Sequence, residues 1–378
     1  MEIYVVQPND NVDGIAAAFE VSVETVIYDN QLVYPYKLAV GQALYLPSGP
    51  ETPAKVPLVS NGYAYPYISR WVLSQTLPYL SLLSVFSYGF TFEGELLFPA
   101  LDDSWMIDMA LDQGTSPILT LTPLGADGQF NNSLISSVVS NPEYTQTLIR
   151  QVLAAVLEKG YTGVDIDFEF ILAEDRDLFT EFVRQMADAL HSIGCTLSVA
   201  LAPKTSADQP GLLYEGKDYP ALGEIADYVL LMTYEWGYKY GPNMAVAPLN
   251  KVREVVEYAV SEIDPRKIHL GIPNYGYDWP LPFIRGVTVA RTIGNVEAVQ
   301  TAVRNHAVIH FDETAQSPYF RYTLDGTEHE VWFEDVRSLQ AKFRLIKDYG
   351  LQGAGYWQLM RWWRANWLLL EDNFILVD

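Results

Sequence analysis

Short apolar or alternating runs recur in order at residues 58–64, 83–88, 118–122, 163–169, 196–202, 228–234, 268–272 and 353–359. Most are followed by a segment with helical periodicity, clearest at 175–193 and 252–263, where apolar residues alternate with charged ones. Parallel strands cannot be joined by tight turns and need crossover connections, which helices usually supply. Eight strands in this rhythm close into a barrel more readily than they form an open sheet. The expected fold is α/β, a TIM (β/α)8 barrel over residues 58–378. The seventh connection breaks the rhythm. It contains a helix-like segment at 296–304, extended segments at 308–311, 320–324 and 329–333, and a further helix-like segment at 336–349. We read a small α+β insertion over 280–335, above the C-terminal face of the barrel, where binding grooves of this fold open.

Ahead of the barrel, residues 3–6 and 43–46 have strand character and residues 12–19 and 23–28 have helical character. Ser48, Gly49, Pro50, Thr52 and Pro53, followed by Pro57, then interrupt both periodicities. This places a small module at 1–48 and a linker at 49–57. The stretch from Val5 to Gln31, with Ile15-Ala16 and Asn30, and the ending Gly41-Gln42 to Pro47, resembles a LysM module. That resemblance implies binding to glycans containing N-acetylglucosamine. Where the family usually carries Gly-Asp-Thr, this chain has Asn9-Asp10-Asn11.

Composition narrows the partners. With 24 Lys and Arg against 47 Asp and Glu, the formal charge is −23, and no long basic run offsets it. DNA, RNA and anionic membrane surfaces are disfavoured. No apolar run approaches the length of a membrane span, so no membrane insertion is expected, and no conventional signal peptide is read at the start. Aromatic residues make up 13% of the chain, including 25 Tyr and 9 Trp, which favours flat stacking surfaces such as sugar faces offer. Cys195 is alone and cannot form an internal disulfide. The five histidines are scattered, so neither a metal site nor a cofactor is expected.

The strongest local signal is Gly163-Val164-Asp165-Ile166-Asp167-Phe168-Glu169. Side chains on a strand alternate faces, so Asp165, Asp167 and Glu169 share one face, about 6.6 Å apart in succession. Facing a barrel interior, such a row raises the pKa of at least one member through repulsion and burial. Glu169 lies nearest the end where barrel sites open and is placed to deliver a proton to a leaving oxygen. Two other readings of the row are a solvated strand face and a carboxylate set for magnesium or calcium.

The pattern resembles glycoside hydrolase family 18, in which strand four carries a Gly followed by alternating Asp, Asp and Glu. Here Thr162 replaces the Asp that usually precedes that glycine. Met232-Thr233-Tyr234-Glu235-Trp236, the stretch from Gly271 to Trp279, and Gly355-Tyr356-Trp357 extend the resemblance over strands six to eight. With the LysM-like start, the whole chain is similar to the spore cortex-lytic and germination-associated branch of that family.

The resemblance implies retaining hydrolysis by substrate assistance, with peptidoglycan or another N-acetylglucosamine-containing glycan as the partner. Glu169 would be the acid, Asp167 would orient the acetamido nitrogen, Asp165 would support Asp167, and Tyr234 would donate to the acetamido oxygen. Trp357 would floor the subsite of the reacting sugar. Tyr63, Tyr88, Met232, Glu235, Asn274, Tyr275 and Asp278 would line the groove, with Glu235 standing where an Asp is common. A location in the spore coat or cortex region follows if the organism sporulates; otherwise the chain would be cytoplasmic or cell-wall associated by another route. Competing functions are a catalytically weak glycan-binding coat protein and a chitooligosaccharide hydrolase.

Overall fold

The computed structural model describes residues 1–47 and 54–377. Much of the expected linker falls on residues 48–53, outside the described residues. Its last two positions, Val56 and Pro57, already belong to the first barrel strand.

In the N-terminal module, strand Glu2–Val5 pairs antiparallel with Ala43–Leu46, and helices Val12–Ala18 and Val23–Asp29 lie between them in sequence. Val6, Val12, Ile15, Val26, Leu44 and Leu46 form its core. The Asn9-Asp10-Asn11 substitution is locally competent. Asn9 takes a left-handed φ of 74°, which Asn tolerates better than most residues. Asp10 accepts from the Tyr4 hydroxyl at 2.6 Å, and Asn11 caps the first helix by accepting from Gly14 N at 2.8 Å. Asn30 exchanges bonds with the Tyr45 backbone in both directions, so its place in the module is a structural one. The module sits against the barrel: Arg364 reaches Asp29 at 2.8 Å and Tyr45 donates to Asp372 at 2.7 Å.

Barrel strands one to eight are Val56–Ala64, Leu82–Phe90, Ser116–Leu121, Gly163–Ile166, Thr196–Leu201, Tyr228–Leu231, Ile268–Pro273 and Gly353–Trp357. Each pairs in parallel with its neighbours, and strand one pairs with both strand two and strand eight, closing the barrel. Strands four, six and eight end sooner than the sequence pattern suggested. Strand four leaves the ladder after Ile166 and strand six after Leu231, so Asp167, Glu169 and Tyr234 stand on strand-to-loop exits. Apolar side chains such as Phe179, Val183 and Leu190 of helix Arg176–His191 pack onto the sheet from outside.

The insertion is a five-stranded antiparallel sheet in the order Arg291–Ile293, Gly276–Pro280, Thr327–Trp332, Ser317–Leu324, His310–Asp312, with helix Asn295–Arg304. It therefore begins at Gly276, ahead of the expected residue 280. The chain returns to the barrel through helix Val336–Tyr349, capped by Asp335 and Ser338 and tied to the preceding Glu334 by a fully buried ion pair from Lys342 at 2.9 Å. Among the described residues no helix is long and apolar enough to cross a membrane.

Candidate active site

Asp165 is 0% exposed, and its register partners on either side are Thr120 and Ser198. Register neighbours share a face, so Asp165 looks into the barrel with Ser198. There it accepts from the Tyr63 hydroxyl of strand one at 2.9 Å and from Ser198 Oγ at 2.6 Å. Burial nevertheless pushes its pKa up, with those two donors working in the opposite direction.

Asp167 follows on the same face. One of its carboxylate oxygens is buried and takes no hydrogen bond from the described residues. Burial, then the charges of Glu169 and Asp165, hold its pKa well above the usual carboxylate range. Glu169 is exposed at the mouth, yet enough protein surrounds its carboxyl for desolvation to raise it, opposed by the charge of Lys217. Burial thus shifts the whole row toward its protonated forms, the direction a general acid requires.

Tyr234 places its hydroxyl among these acids, and its own pKa is raised by burial and then by Asp167, Glu169, Asp165 and Glu235. Room for its ring depends on Gly271, where a Cβ would come within 2.9 Å of the ring and 2.3 Å of the Leu231 carbonyl. Trp357 closes the floor, edge-on to Phe86 at 4.9 Å between centroids and 5.9 Å from Tyr63. Met232 packs against the same small apolar cluster. Asp167 and Glu169 open into a cavity of about 140 Å³ shared with Phe86, Phe130 and Phe170. A larger cavity, about 390 Å³, lies between the N-terminal module and the insertion, away from the acids. Chemistry rather than volume locates this site.

The remaining expected groove residues divide. Glu235, at a left-handed φ of 68°, accepts from Tyr275 and, at 2.9 Å, from Tyr277, which ties the exit of strand six to the insertion. Burial raises its carboxyl and the two tyrosines counter that. Asn274 is buried and donates to the carbonyls of Gln358 and Arg361, both at 3.0 Å, so it holds the loop behind Trp357 rather than facing the groove. Asp278 belongs to the insertion sheet, where it accepts from Tyr322 at 2.7 Å and lies 2.8 Å from His329, so it too is withdrawn from the groove.

Tyr88 is also withdrawn. It is 0% exposed and donates to Asp103 at 2.5 Å, beside Tyr161, which donates at 2.6 Å. A register shift between Val85 and Tyr88 re-aims the strand, so that Phe86 and not Tyr88 reaches the floor. Tyr88→Phe should leave KM unchanged within about twofold and lower stability by about 1–3 kcal/mol, measured by denaturant titration. A several-fold rise in KM would restore Tyr88 to the groove. Ser198, Phe86 and Lys217 were not singled out from the sequence. Ser198 sits at an inward position of strand five and Phe86 in the middle of strand two, whereas Lys217 carries no motif.

A closed parallel barrel with a protonatable carboxylate row and an aromatic floor at its strand ends is the architecture of a glycoside hydrolase. The chain belongs to glycosyl hydrolases family 18, whose model matches residues 67–361, and carries a LysM domain at residues 4–47. It is 38% identical to the cortical fragment-lytic enzyme of Bacillus subtilis (strain 168), over 100% of this chain and 99% of that one. The spore cortex-lytic enzyme SleL of Bacillus megaterium QM B1551 superposes with a TM-score of 0.93 at 32% identity, covering 99% of this chain and 98% of that one. SleL of Bacillus cereus gives 0.83 at 36% identity, over 99% and 87% of the respective chains. The chain is an enzyme, a glycosidase with a LysM module.

Proposed function

We propose that this hydrolase cleaves β-1,4 bonds at N-acetylglucosamine in spore-cortex peptidoglycan, with retention, using the acetamido group of its substrate as nucleophile. The observation that carries this reading is Asp167: a half-buried side chain between two other acids, with a buried carboxylate oxygen that takes no hydrogen bond from the described residues. Such a group suits an amide N–H better than it suits an attack on carbon. Glu169 protonates the glycosidic oxygen as the acetamido oxygen attacks the anomeric carbon. Asp167 accepts from the acetamido N–H and stabilises the oxazolinium-like ion, with Asp165 behind it, and Tyr234 donates to the acetamido oxygen. The exposed Glu169 then takes a proton from the water that opens the ring. Trp357 offers a flat apolar face to the sugar.

The cortex assignment draws on the relatives named for cortical fragments and spore cortex, and the spore coat or cortex region is the corresponding location. Product mass analysis on defined cortex fragments tests bond and substrate together. New reducing ends at N-acetylglucosamine are expected, and the same fragments after N-deacetylation should remain uncut. Cleavage of deacetylated fragments at a comparable rate would remove substrate assistance. Turnover of chitooligosaccharides alone would remove the cortex as substrate.

A further inference from the structure

Lys217 is a fully buried cation close to the acid row. It lies in the loop after strand five, in Gly216-Lys217-Asp218, and makes no ion pair within salt-bridge distance of a described carboxylate. Its ammonium donates instead to two backbone carbonyls, that of Phe168 and that of Ala200 at 3.2 Å. Phe168 stands between Asp167 and Glu169, at the point where strand four has left the ladder and its carbonyl has lost its strand partner. Ala200 lies two residues beyond Ser198, the donor to Asp165. One ammonium therefore ties the exit of strand four to strand five.

The loop is built to bring it there. A Cβ on Gly216 would lie 2.4 Å from the carbonyl of Ile171, so only glycine lets the loop approach the chain leaving the acid row. Lys204 braces the same loop by donating to the Lys217 carbonyl at 3.1 Å, and Asp218 caps the following helix while pairing with Arg176 at 2.6 Å. The Phe179 ring lies 5.2 Å from the ammonium. A buried cation without a contact carboxylate is costly, and backbone carbonyls alone offset little of that cost.

We propose that Lys217 is a positioning residue of the acid row. Its ammonium fixes the backbone between Asp167 and Glu169 and supplies a buried positive charge that favours the ionised forms of the three carboxylates. This inference rests on the substrate-assisted reading above. The charged groups that act on the ammonium are Asp167, Glu169 and Asp165 on the strand-four side, and Lys204 and Asp218 stand on the loop that carries it. Burial pushes the Lys217 ammonium down to about 8 while Asp167, Glu169 and Asp165 work against it, and the cation in turn counters the burial that raises all three carboxylates.

The test is the pH profile of kcat/KM on cortex fragments for the wild type, Lys217→Gln, Lys217→Met and Lys217→Arg, each first checked for folding by thermal unfolding. Removing the charge should move both limbs to higher pH by about one unit. It should lower kcat about 10-fold with KM changed by less than about threefold, the pattern of a misplaced acid rather than of lost substrate contacts. Lys217→Arg should keep the limbs of the wild type. Lys217→Gln keeps a donor for a carbonyl without the charge, so a folded glutamine variant with wild-type limbs overturns the proposal. So does failure of both neutral variants to fold, which would make Lys217 a residue of the scaffold. Glu169→Gln is run alongside: if it stays active, the substrate-assisted reading fails, whereas an inactive Glu169→Gln beside unshifted Lys217 variants overturns only the role of Lys217.

Discussion

Glu169→Gln should lower kcat on cortex fragments by about 10²–10⁴-fold while leaving the fold and KM close to those of the wild type. Glutamine has nearly the shape of glutamate but no transferable proton, so the leaving oxygen must depart as an anion. The residue is exposed at the mouth and makes no side-chain hydrogen bond among the described residues, in contrast to Asp165 with its Tyr63 and Ser198 donors. The loss therefore belongs in kcat, with the thermal midpoint moving little. The substitution also removes one of three clustered carboxylates, which works in favour of stability. Turnover within a factor of about ten of the wild type, at equal folding, would show that another group protonates the leaving oxygen.

How much of this site was legible in the sequence depends on the range of the interaction. The period of two placed Asp165, Asp167 and Glu169 on one face although only Asp165 lies in the hydrogen-bonded strand, because the extended chain keeps its alternation briefly beyond the ladder. Tyr88 was placed in the groove by the family resemblance, and the irregularity after Val85 in its strand brings Phe86 to the floor instead. Asp278 was placed there on the same ground. That residue follows strand seven closely in sequence, but its strand pairs with Thr327–Trp332, a partner some fifty positions away that no local pattern reveals. Glu235 was legible as a departure from the usual Asp, yet its two tyrosine donors come from beyond strand seven. Lys217 was out of reach, because a lone lysine in a loop has no periodicity and its meaning lies in the two carbonyls it meets.

Asp167→Asn carries the second large effect, and it moves activity and stability in opposite directions. Without a carboxylate beneath the acetamido nitrogen, the positive charge developing in the oxazolinium-like ion loses its nearest support, and kcat should fall by about 10²–10³-fold. Stability should rise at neutral pH. The folded-state pKa of Asp167 lies well above its unfolded value, chiefly through burial and then through Glu169 and Asp165, so across the interval between the two values the folded chain binds more protons than the unfolded one. Stability is then fully present below the ordinary aspartate range, near pH 4, and is lost as pH rises toward the folded value. Asparagine does not titrate and escapes that loss. The variant should therefore unfold at least about 2 °C above the wild type at pH 7, with the gap closing as the pH falls toward 4, measured as Tm against pH. A gap of the same size at both pH values would mean that the gain comes from packing. A lower Tm at pH 7 would mean that the Asp167 carboxylate supports the fold, and the view of the row as a cost retained for catalysis would be lost.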